Sequence, residues 1–144
     1  MAKVAQFLMA ASVLIPDNEN AFRGMANANW SKRGVVSYKA YMLRPASDIF
    51  PIEEELSLGR TPETAVNELS THFGAAALLV HDVHRLPYGL RVIEDPQNIT
   101  KAYMNGLPLF SKDESLRERA LAVAQDLASI SCHVPVPTVS APII

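Results

Sequence analysis

The stretch LLVHDVHR, residues 78–85, sets His81, Asp82 and His84 inside an apolar run. Paired imidazoles bind metal ions, and an imidazole beside a carboxylate can act as a general base. Local conformation decides between these uses. On a helix His81 and His84 share a face, whereas on a strand a period of two puts His81 on one face and Asp82 with His84 on the other. The following LPYG, residues 86–89, reads as a turn, which favours a strand running into a hairpin over residues 75–94. Spacing supplies no third ligand, because His72 lies beyond Gly74 and His133 sits near the C-terminus. No metal and no cofactor are therefore expected. Closing the hairpin brings His81 opposite Glu94 or, with a bulged turn, Asp95. Such a pair could raise the imidazole pKa and serve as a general base. The plainer alternative is a cross-strand pair on a wet face, worth less than about 1 kcal/mol.

The remaining reactive side chains offer less. Cys132 is the only cysteine, which rules out an internal disulfide, a CxxC redox pair and a thiolate-rich zinc site, and makes a reducing, cytoplasmic compartment the easier reading. Its neighbour His133 points away from it in an extended chain, so Cys132 reads as a small buried residue rather than a nucleophile. No GxSxG and no glycine-rich phosphate loop is present. AALLVHDVH is faintly similar to the His-Asp step of HD-domain phosphohydrolases, but that fold is all-helical. The strand-rich remainder conflicts with it, and no family is assigned.

Charge is distributed more tellingly. The net charge of -2 gives no global pull toward nucleic acid or anionic membranes. Yet Asn20 to Ser47 carries Arg23, Lys32, Arg33, Lys39 and Arg44 with no acid, interleaved with Trp30, Tyr38 and Tyr41. Arg23, Trp30, Lys32, Arg33, Lys39 and Arg44 could grip phosphates and stack bases, making nucleic acid a candidate partner. A solvated face answered by the acids of residues 48–55 is the competing explanation.

The elements that must position these residues follow from patterning. A chain of 144 residues, 49% apolar and 19% charged, suits one domain with its own core. Residues 4–15 are apolar in both parities, too short to span a bilayer, and read as a strand buried on both faces. The sequons at Asn29 and Asn98 matter only in a secreted chain. A helix is expected over 17–30, a strand over 34–43, a charged edge strand over 52–58, and a helix from Thr61-Pro62 with Val66, Leu69 and Phe73 inward and Gly74 closing it. A short helix should run from Asp95-Pro96 to Asn105-Gly106. The best-specified element is a helix over 111–130, opened by Ser111 and Glu114 at capping-box spacing and supported by an Asp113–Arg117 pair.

The class expected is α+β: a mostly antiparallel sheet of 4–5 strands packed with helices, in the order of a ferredoxin-like split βαβ core with additions. Residues 1–131 form the domain, and residues 132–144 an extended arm whose prolines at 135, 137 and 142 bar a helix or central strand. An arm carrying Val134, Val136, Val139, Ile143 and Ile144 needs cover. The expected function is protein–protein assembly, with self or another subunit as partner and no membrane. Nucleic-acid binding and a small enzyme using His81 are the alternatives.

Overall fold

The computed structural model describes residues 12–137. Six strands form an antiparallel sheet: β1 (Asn20–Gly24), β4 (Leu56–Gly59), β5 (Ala75–Leu79), β6 (Arg91–Glu94), β7 (Lys101–Asn105) and β8 (Ser131–Val134). Their order across the sheet is β6-β7-β4-β1-β5-β8, and every pairing is antiparallel. A separate two-stranded ribbon, β2 (Ser31–Lys32) and β3 (Val35–Val36), turns at Arg33-Gly34 with both residues at positive φ. The α+β class holds, with six strands rather than 4–5. β4 and β5 are both antiparallel to β1, which lies between them, and the short helix Pro62–Val66 connects them, so this part of the sheet is a split βαβ unit; the hairpin β6–β7 extends the sheet beyond β4, and β8 beyond β5.

Register assigns the two faces. Residues directly opposite in a pair point the same way, so Ala21, Leu56, Leu58, Ala76, Leu78, Val92, Ala102 and Met104 share one face, and all are buried. Helix α3 (Glu114–Ser129) supplies Val123, Ala124 and Leu127 to this core. It packs chiefly on a 3-10 turn, Tyr38–Tyr41, whose Ala40 and Tyr41 are also buried. Helix α2 (Val80–Arg85) adds Val80 and Val83 beside β5 and β6. Onto the opposite face the short α1 (Pro62–Val66) closes, over β1, β4 and β5. Glycine permits that approach: a Cβ on Gly24 would lie 2.1 Å from Ala65 O, and one on Gly59 2.4 Å from Ala65 N.

Several sequence expectations change. The helix expected over 17–30 is β1 followed by a 3-10 turn at Ala28–Trp30. Asparagine-rich sequence with Gly24 makes a poor helix, and a central strand that alternates Ala21 and Arg23 against Phe22 and Gly24 buries more. Only Val35–Val36 of the strand expected over 34–43 is extended, because the Ser37 hydroxyl accepts from Lys39 N–H and starts the 3-10 turn. The edge strand expected over 52–58 lies in the sheet interior as β4, and Glu53–Glu55 fall before it. Residues 75–94 are not a hairpin. β5 runs straight into α2, and β5 and β6 have β7, β4 and β1 between them. The short helix of 95–106 is a tight turn followed by β7, with Asp95 Oδ1 accepting from Gln97 N–H.

Both remaining helices start near where the sequence puts them. Thr61 and Thr64 form a reciprocal cap on α1, but the helix ends at Val66, leaving Phe73 exposed, and Gly74 takes its positive φ at the entry to β5 instead. α3 is capped by Asp113, not Ser111, whose hydroxyl accepts from Asp113 N–H. Of the strand expected over 4–15, residues 13–15 lie beside β6, with Leu14 bridging Ile93; residues 4–11 lie outside those described. Cys132, His133 and Val134, expected to open the arm, are part of β8, and Cys132 is exposed. Val136 is half-buried, while Val139, Ile143 and Ile144 lie outside the described residues.

Candidate functional site

Helix α2 does place His81 and His84 three residues apart on a helix, yet they serve different ends. His81 is exposed and reaches only its neighbour Asp82, at 3.5 Å. Neither carboxylate expected opposite it is there. Glu94 binds Arg60 at 3.1 Å, and Asp95 caps its own turn and sits by Tyr103, whose hydroxyl pKa is pushed up by burial first and then by Asp95. His84 Nδ1 lies 2.8 Å from Asp17 Oδ1, and its Nε2 is 3.1 Å from the Val92 N–H. Since Nε2 must accept that hydrogen bond, the proton sits on Nδ1 and points at the carboxylate. Both ring nitrogens are spent on joining the N-terminal segment, α2 and β6.

The other imidazoles are tied to backbone as well: His72 Nδ1 accepts from Gly74 N–H, and His133 Nε2 lies 3.0 Å from Phe73 O. No group of three or more His, Cys, Asp or Glu among the described residues could hold a metal ion. No helix among them is long and apolar enough to cross a membrane.

The basic segment is divided. Arg23 points into the core-facing side of β1, where its guanidinium donates to Ala40 O at 2.9 Å and Ser57 O at 3.1 Å and lies 5.4 Å from the centre of the Trp30 ring. Burial lowers its pKa, against which Glu53 and Tyr41 pull upward. Trp30 thus stacks on a cation of its own chain, and Tyr41 is buried. Lys32 and Arg33 stand exposed at the ribbon tip, Lys39 is exposed on the second 3-10 turn, and Arg44 covers the Phe50 ring at 5.1 Å. Two of the six residues named from sequence are therefore engaged with each other. The sequence pattern gives no hint of this, because the direction of a long side chain depends on strand parity.

Sequence reasoning missed Arg60 altogether. Placed where β4 leaves the sheet, it bridges Glu19 at 3.0 Å and Glu94 at 3.1 Å, a partly buried trio that ties together the chain before β1, the end of β4 and β6.

Open apolar surface is found elsewhere, around the start of α3. The stripe of Val123 and Leu127 continues toward the helix N-terminus as Leu116, which is 50% exposed, because α3 extends past the core there. Beneath it, Pro108, Leu109, Phe110 and Leu116 line a cleft of about 480 Å³ in which Arg119 is the single charged side chain. An adjoining groove between α3 and Tyr38, Met42 and Phe110 measures about 600 Å³, but its Lys112 and Arg117 are offset by Glu114 and Glu118.

Comparison with protein-family models, curated proteins and solved structures finds no match to this chain.

Proposed function

We propose that this protein is a non-enzymatic assembly component, a small structural or adaptor subunit whose apolar C-terminal arm makes contacts with another subunit or a partner at the β8 end of the sheet. The observation that carries this reading is the asymmetry of the two sheet edges. On the β6 side residues 13–15 lie along the strand, with Ile15 N–H donating to Val92 O and Glu94 N–H to Val13 O. On the other side β8 is the last paired strand among the described residues. The ribbon strand β3 lies near it without pairing. Unpaired strand edges are templates for strand addition, and the chain beyond β8 is apolar: Val134 and Val136, then in sequence Val139, Ile143 and Ile144. Engagement of both ring nitrogens of His84, and of backbone by His72 and His133, further supports contacts over chemistry.

The test is truncation after Pro137, which keeps β8 and removes Val139, Ile143 and Ile144. The expected outcome is an unchanged melting transition with a lower assembly mass in sedimentation velocity. A truncated chain that keeps both its mass and its partners in pull-down would end the proposal.

A further inference from the structure

Ile49 is the most exposed large apolar side chain among the described residues, and Phe50 stands beside it. Between Arg44 and Glu53 the chain forms a closed loop: Arg44 N–H donates to Glu53 Oε1 at 2.8 Å, and Glu53 N–H returns to Arg44 O at 3.1 Å. Inside it the Ser47 hydroxyl accepts from Ile49 N–H at 3.3 Å and Phe50 N–H at 3.0 Å, and Ser47 N–H donates to Phe50 O at 2.9 Å. The Arg44 guanidinium lies over the Phe50 ring. This ordering does not bury the tip. Ile49 is 81% exposed and Phe50 53%. A side chain already held in place loses little freedom when it docks, which is how anchor residues of interfaces work.

We infer that copies of this chain associate head to tail, the Ile49–Phe50 tip of one seating in the Pro108–Leu109–Phe110–Leu116 cleft of the next, with Asp48 facing Arg119. The inference rests on the assembly reading but on different residues. Three observations point to a second copy as occupant. The cleft is apolar with one cation, and the loop bearing the tip is net acidic, with Asp48 next to Ile49 and Glu53, Glu54 and Glu55 following it in the chain against the single cation Arg44 over the Phe50 ring. The adjoining groove, whose charges cancel, offers the acidic tip no such complement. The tip of the same chain does not fill the cleft, since Ile49 remains in solvent. Those acids also oppose an anionic lipid surface or nucleic acid. Because tip and cleft are different surfaces, the contact is heterologous and either closes into a ring or extends as a filament.

The experiment is sedimentation velocity on the full chain from low to high micromolar concentration. The weight-average mass should rise with concentration in the wild type and rise markedly less in the Ile49→Ser/Phe50→Ser variant, whose exposed positions leave the melting transition in place. Asp48→Arg alone and Arg119→Asp alone should each weaken association about tenfold or more, through like charges facing each other, and the two combined should restore it. A wild type that stays monomeric throughout, or a charge-swapped double variant that does not recover, overturns the inference. A mass rise that survives loss of the tip but vanishes on truncation after Pro137 leaves the β8 reading standing and removes this one. Cosedimentation of the monomer with phosphatidylcholine–phosphatidylserine vesicles, lost in Phe50→Ser, would give the tip to a lipid surface and overturn it as well.

Discussion

Arg23 and Tyr41 show how single residues behave in this core. Two carbonyls depend on Arg23, so Arg23→Ala strands Ala40 O and Ser57 O, and a loss of roughly 2–4 kcal/mol in urea unfolding is expected. Lysine cannot reproduce the fork and should recover only part of it. Tyr41 runs the other way. Its hydroxyl is buried with no hydrogen-bond partner among the described residues. Tyr41→Phe should therefore stabilise the fold by about 1 kcal/mol at neutral pH. Burial also raises the Tyr41 pKa well above the ordinary tyrosine value. A folded-state pKa above the unfolded one means that the fold holds the neutral form: this contribution is complete below about pH 10 and is lost as pH climbs toward the folded value. Unfolding midpoints from pH 7 to pH 11 should accordingly fall faster in the wild type than in Tyr41→Phe. None of this is legible in the sequence, where Arg23 and Tyr41 look like members of one basic, aromatic surface.

Elements were legible where local chemistry decides them. Thr61-Pro62 and the Ser111–Glu114 region announce helices because caps act within one turn, and both helices are present. The cap of α3 is Asp113, which accepts from Leu116 N–H and from the Ser115 hydroxyl; the latter is the main reason its pKa is lowered. A lowered carboxylate pKa gives stability that exists above the ordinary carboxylate range and fades as pH falls through the folded value. Protection factors for amide exchange at Ser115–Arg117, taken against the intrinsic rate at each pH, should fall between pH 6 and pH 3 in the wild type and should already be low at pH 6 in Asp113→Ala. For α1 the determinant is space. Gly24→Ala drives a Cβ into Ala65 O, so a loss of about 2–3 kcal/mol is expected in thermal or urea unfolding, with α1 displaced from β1. Strand boundaries were harder to read, because Asn20–Gly24 alternates by parity inside a sheet without looking apolar.

At the scale of the whole molecule the α+β class follows from composition and element types, while the strand order does not. The turn at LPYG exists, with Gly89 at φ 71°, but it leads from α2 into β6 rather than from β5 into its partner. A turn signal states that the chain reverses, not which strand lies beside which. The histidine site dissolved for the same reason: its expected carboxylate depended on β5 and β6 being neighbours. The arrangement observed also sets when the fold can form during synthesis. Among the described residues the first strand made, β1, sits between β4 and β5, and β5 has no partner on its outer side until Ser131–Val134 has left the ribosome. Leu14, near the start, likewise waits for Ile93. A nascent chain therefore carries unpaired strand edges until the residues of β8 have been made, the situation in which non-local pairing slows folding.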